Sequence, residues 1–282
     1  MSINTSEERI LEQLRLGREV MPEWAEVLDL QIALLEAQME TNVPAVKVQL
    51  SGEQATQRRR QGIPLVSGRE LRLDWDTFTA LYRRVCQIAA AHRADLAEAF
   101  GELAEMPDRD PEQLQSWVFH LMAEGKLSQD DELGLKSFAL THTLRPFLRR
   151  YAQAYASLVD EGGWRRGYCP ICGGEPDFAS LSDRDEGARH LLCSRCDNEW
   201  LYKRLGCPFC KVAAHGKIRY YPEEKGPHRL YVCDECKRYL KTIDLRRAPP
   251  VQTTGLRGRV LLPVERVLTM GMDVAAREKG YG

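Results

Sequence analysis

The chain has 282 residues, 43% of them hydrophobic and 29% charged, with a net charge of -1. That is about two domains' worth of chain with enough apolar content for a real core, which excludes a fibrous or wholly disordered protein. The balanced charge removes any global electrostatic argument for nucleic acid or an anionic membrane. Apolar stretches such as Leu28 to Glu36 are cut by charge well short of the roughly 18 residues that cross a bilayer. Glu7 and Glu8 stand where a secretory signal carries basic residues, so a cytoplasmic location is expected.

Residues 1–162 read as an all-helical N-terminal domain. Glu7 to Arg18 and Glu23 to Glu40 carry apolar residues at helical spacing, with Trp24, Val27, Leu28, Leu34 and Leu35 among them. Gly52 to Gly68, with its Arg58 to Arg60 triplet and Pro64, has little periodicity and reads as a loop or linker. Helices resume at Asp74 or Asp76 and run toward Phe100, with Cys86 inside the apolar pattern as a small buried residue. Asp110-Pro111 is an N-cap followed by proline at the first helical position. Ser128 and Asp131 resemble a capping box opening a helix through Leu133, Phe138 and Leu144, and Pro146 is expected to kink or restart it. Asp160 to Gly163 mark the end of this domain. Its 18 basic and 26 acidic residues contrast with 17 and 12 over 163–247.

Eight of the nine cysteines lie in that second region as four C-x-x-C pairs: Cys169/Cys172, Cys193/Cys196, Cys207/Cys210 and Cys233/Cys236. In a reducing compartment a two-residue spacer suits two thiolates on one metal better than a disulfide. Four pairs make two metal sites. YCPICG aligns with GCPFCK, and LLCSRCDNEWL with YVCDECKRYLK, so a duplicated unit is expected, with neighbouring pairs sharing a metal: 163–204 as the first four-cysteine module and 205–247 as the second. The ten residues between Cys196 and Cys207 do not forbid an interleaved arrangement. Beyond them, 248–282 read as a linker around Pro249-Pro250 followed by a C-terminal helix, Pro263 to Glu278.

Four thiolates close a tetrahedral site and leave no open position for water, so hydrolytic metal catalysis is not expected. The ligand set accommodates zinc or iron, giving two metal ions per chain. Gly173, after Cys169-Pro170-Ile171-Cys172, is typical of a rubredoxin-like knuckle, whereas Asp197, Lys211 and Lys237 take its place in the other three. With four thiols available per site, His190, His215 and His228 are expected outside the coordination spheres. No G-x-S-x-G, phosphate-cradling loop or H-E-x-x-H occurs, so no catalytic residue is assigned and no enzyme activity is expected. The fold class is therefore α+β: a helical domain, two tandem rubredoxin-like or zinc-ribbon modules, and a C-terminal helix.

The run from Tyr168 to Gly173, then Arg189 to Trp200, then Cys207 to Cys210 and Cys233 to Lys241, resembles the FdhE-type formate dehydrogenase accessory proteins. The resemblance implies a cytoplasmic assembly factor that binds the catalytic subunit of a formate dehydrogenase during its maturation, through metal-bearing knuckles. Two other readings are a rubredoxin-like electron carrier and a nucleic-acid-binding zinc-ribbon protein. The latter would use Trp200, Tyr202, Lys203, Arg204, Tyr220 and Tyr221 to stack bases and meet phosphates. The acidic first half opposes it.

Overall fold

The computed structural model describes residues 3–248 and 261–282, apart from 126, 128–130, 132–133, 161, 184–186, 215 and 225. The chain forms two compact units, one of residues 1–49 and 66–156, the other of residues 50–65 and 157–282.

The first unit is helical: α1 (Ile3–Val20), α2 (Ala25–Glu40), then, after an excursion into the second unit by α3 (Gly52–Gln61), α4 (Trp75–His92), α5 (Ala97–Ala104), the single turn α6 (Met106–Arg109), α7 (Pro111–Glu124) and α8 (Leu135–Tyr155). Leu28 and Leu34 of α2, Phe78, Tyr82 and Val85 of α4, and Leu140, Leu144 and Leu148 of α8 are buried, so the apolar stripes of α2, α4 and α8 supply the core. The Asp110 carboxylate accepts from the Gln113 N–H, and Asp74 does the same for Thr77. The first is the cap expected from sequence, and the second decides between the two expected starts, Asp74 and Asp76, in favour of Asp74 as the cap.

Three local expectations are corrected. Residues 52–61 are helical, with Ser51 and Gln54 forming a capping box and Gly62 in the left-handed conformation (φ 74°) ending the helix. Its low periodicity reflects a helix with one buried side chain, Ala55. The long segment before Phe100 breaks after His92, and a 3-10 turn at Ala94–Leu96 leads into α5. Pro146 does not interrupt α8. The carbonyl of His142 that proline cannot bond accepts instead from Gln38 Nε2 at 2.8 Å, so a buried side chain of α2 supplies the missing donor. Of the proposed capping pair, Ser128 lies outside the described residues, while Asp131 caps α8 through the N–H groups of Lys136 and Ser137.

In the second unit, β1 (Pro176–Leu181), β2 (Arg189–Cys193), β3 (Glu199–Tyr202), β4 (Ile218–Pro222), β5 (His228–Cys233) and β6 (Tyr239–Asp244) form one sheet in the order β3-β2-β1-β6-β5-β4. Each module is a three-stranded antiparallel meander, and the two join where β1 runs parallel to β6, with Phe178 opposite Lys241. Both modules therefore read 3-2-1 across the sheet, as a tandem duplication related by translation. After it come α9 (Leu262–Leu268) and α10 (Met270–Glu278), in place of one helix. They separate at Thr269, whose hydroxyl donates to the Glu265 carbonyl. Leu262 packs with Phe178, Leu192 and Ile243, and Ala276 and Tyr281 pack with Leu230 and Val232. The linker at Pro249-Pro250 lies outside the described residues.

Candidate metal centres

Each C-x-x-C pair sits on a tight turn at a strand end or just ahead of the sheet. In the first knuckle the Cys169 N–H donates to the Gly174 carbonyl and the Gly173 N–H donates to Cys169, and the third knuckle repeats this with Cys207, Val212 and Lys211. Cys193 and Cys233 donate in the same way to the carbonyls of Asn198 and Arg238. The residue after the second cysteine has positive φ in all four: Gly173 at 73°, Asp197 at 55°, Lys211 at 66° and Lys237 at 59°. The turn is thus the same four times, and three side-chain-bearing residues accept a backbone geometry that glycine adopts freely. Backbone N–H groups of Ile171 and Arg195 point at the sulfurs of Cys169 and Cys193, each at 3.4 Å.

These turns bring Cys169, Cys172, Cys193 and Cys196 into one cluster and Cys207, Cys210, Cys233 and Cys236 into another, with all sulfurs of a cluster within 4.8 Å of one another. The neighbours in sequence are the neighbours in space, and the interleaved arrangement is not formed. Sulfur separations are 3.6 Å for Cys169–Cys196, 3.5 Å for Cys172–Cys193 and 3.6 Å for both Cys207–Cys236 and Cys210–Cys233. A tetrahedral site with metal–sulfur bonds of about 2.3 Å has edges of roughly 3.8 Å, so either cluster could hold a metal ion with little movement. In the first cluster, hydrogen bonds from Cys169, Cys193 and Cys196 hold the Cys172 thiol well below its ordinary pKa, while burial drives Cys169 and Cys196 up.

The two clusters differ in exposure. All four cysteines of the first are buried, whereas Cys210 and Cys236 of the second reach solvent. The first module also buttresses the second: the Tyr202 hydroxyl donates to the Cys207 carbonyl at 3.0 Å, and a Cβ on Gly167 would run into the Pro208 carbonyl. The first knuckle is backed by α3, with Leu65 N–H donating to the Pro170 carbonyl and the Tyr168 hydroxyl to the Gly62 carbonyl. Sequence reasoning missed this support because its polar helix looked like a linker.

The remaining candidates separate clearly. Trp200 is buried with its indole N–H donated to the Arg166 carbonyl, and Tyr202 is internal, so neither is available to stack a base. Of the aromatic candidates, Tyr220 is half exposed and lies against Tyr231 and Arg229. His228 stands between Glu223 at 3.0 Å and Glu265 at 2.8 Å, away from both cysteine clusters, and His215 lies outside the described residues. Burial opposes charge on His228, but the two carboxylates outweigh it and raise its pKa. Cys86 is buried, which pushes its thiol up to about 12. Lys241, enclosed by the sheet and C-terminal helices, is satisfied by Asp273 at 2.6 Å and the Arg266 carbonyl at 2.8 Å. No helix among the described residues is long and apolar enough to cross a membrane.

Comparison with known proteins finds the same features elsewhere. Residues 168–204 match the family model described as FdhE, central domain. A protein FdhE homolog from Aquifex aeolicus is 24% identical over all of this chain and 95% of its own length. Protein FdhE of Escherichia coli O127:H6 is 27% identical, but over 43% of this chain and 37% of that protein. The crystal structure of the FdhE protein from Pseudomonas aeruginosa superimposes with a TM-score of 0.68 and 25% identity, covering 100% of this chain and 94% of that one. The first knuckle module, the full-length relative and the full-length structural likeness agree in likening this chain to FdhE proteins.

Proposed function

We propose that the chain is an accessory protein of a formate dehydrogenase, binding its catalytic subunit in the cytoplasm during maturation and doing no chemistry on a small substrate. The observation that carries the reading is the pair of closed four-thiol clusters built into one sheet. Cys169, Cys172, Cys193 and Cys196 hold one metal ion and Cys207, Cys210, Cys233 and Cys236 the other, each zinc or iron. With every coordination position taken by the protein, the ion contributes rigidity and, if iron, one-electron redox chemistry.

The connection between the modules gives such a frame a surface to present. Lys203 and Leu205 are exposed there, Leu205 by 73%, immediately before the second cluster. An exposed leucine flanked by cations fits a protein partner better than a small ligand. The test is co-purification with a tagged catalytic subunit. Cys169→Ser combined with Cys172→Ser is expected to lose one metal and reduce binding, and Leu205→Asp to reduce binding with both metals retained. Normal binding and full restoration of formate dehydrogenase activity by the double cysteine variant in a deletion strain would shift the working surface to the helical unit.

A further inference from the structure

Arg189, the first residue of β2, is 1% exposed, and its charge is poorly accounted for by the protein around it. Its Nη1 donates to the Gly206 carbonyl at 3.2 Å, but Nε and Nη2 have no hydrogen-bond partner. The Tyr231 ring lies against it, 4.4 Å from guanidinium carbon to centroid. It makes no ion pair with a carboxylate among the described residues. Other cations of this unit are treated differently: buried Arg266 meets Asp177 and Asp197, buried Lys241 meets Asp273, and half-buried Arg229 meets Asp244. A buried cation left with a neutral carbonyl and an aromatic face is a costly arrangement unless a negative charge lies nearby.

That negative charge is available in the second cluster. Gly206 precedes Cys207, and Cys207 and Cys233 line the same small cavity as Arg189 and Tyr231. Four thiolates around a divalent ion leave a net negative centre. We propose that Arg189 is the counter-charge of the second four-cysteine centre, reached across the module boundary from the first module. The inference rests on the reading of the clusters as metal centres. Arg189 ligates nothing; it is a positioning residue that stabilises the charged, metal-loaded state of its neighbour. The second centre consequently depends on the first module being folded.

The test is titration of the full-length reduced chain with cobalt(II), whose absorption reports tetrathiolate coordination, in competition with a chelator. Wild type takes two equivalents. Arg189→Gln weakens one of them by about 10- to 100-fold, the usual effect of removing an outer-shell partner, and Arg189→Lys restores most of the affinity. In a Cys210→Ser background, which disables the second centre, Arg189→Gln leaves the remaining affinity unchanged. Unchanged affinities in Arg189→Gln, or equal loss at both centres, would overturn the proposal, whereas failure of wild type to bind cobalt would overturn the metal reading itself. Should Arg189→Gln not fold, the wild-type Arg189 Nε–H resonance serves: it moves when zinc fills the second centre, and an unmoved resonance contradicts the assignment.

Discussion

The Tyr202 hydroxyl, at the end of the first module's last strand, donates a 3.0 Å hydrogen bond to the carbonyl of Cys207, a cysteine of the second cluster. One residue from each repeat is thus fastened where the duplicated units meet. Removing that hydroxyl takes one of two donors from the Cys207 carbonyl, which keeps the Lys211 N–H. Tyr202→Phe is expected to cost about 0.5–1.5 kcal/mol in the metal-loaded state. Urea denaturation of the loaded protein measures it, and a change near zero would mean that water replaces the hydroxyl.

Lys211 adopts the backbone conformation that Gly173 adopts in the equivalent turn. A non-glycine residue there carries strain, so Lys211→Gly is expected to stabilise the loaded protein by about 0.5–1 kcal/mol despite the greater freedom of the unfolded chain. Gly173→Ala is expected to do the opposite, by about 1–2 kcal/mol, since its Cβ would also crowd Pro64. Thermal melts of both variants check the pair, and a stabilised alanine variant would contradict the common-turn account.

Exposure of Cys210 and Cys236 against complete burial of the first four cysteines predicts an order of metal loss. A chelator or thiol reagent reaches the second centre first. Native mass spectrometry during chelation is expected to pass through a species with one metal, and alkylation of that species to label 207–236 before 169–196. Labelling in the reverse order would contradict the difference in access.

His228 between Glu223 and Glu265 ties the end of the second module's hairpin to α9. Its folded pKa is raised above the unfolded value of about 6.5, so its contribution to stability is complete below that pH and disappears as pH rises through the folded value. Wild type should lose stability relative to His228→Gln on going from mildly acidic to alkaline pH. Parallel stability curves for the two proteins across that range would remove His228 as the cause.

Much of the candidate site was legible because its determinants are local. The C-x-x-C spacing and the repeat YCPICG/GCPFCK already pair the cysteines in sequence order, and the structure forms that pairing. Asp110-Pro111 likewise carries its cap within four residues. Features decided by distant partners were not legible. Pro146 continues a helix because Gln38, more than a hundred residues earlier, supplies a donor, and nothing near Pro146 encodes that. The parallel joint of β1 with β6 and the burial of Arg189 also depend on which surfaces the fold brings together. Residues 52–61 were misread for a related reason: a helix with little apolar face has weak periodicity, although Ser51, Gln54 and Gly62 held its start and stop signals.

The most direct measurement is the metal content and intact mass of native protein purified under reducing, anaerobic conditions. Two metal ions per chain are predicted, with all nine cysteines carried as thiols or metal thiolates and none as disulfides. Cys169→Ser with Cys172→Ser should lower the count to one. A native chain holding fewer than two ions, or one whose C-x-x-C pairs are oxidised to disulfides, would contradict the reading of these clusters as two closed metal centres.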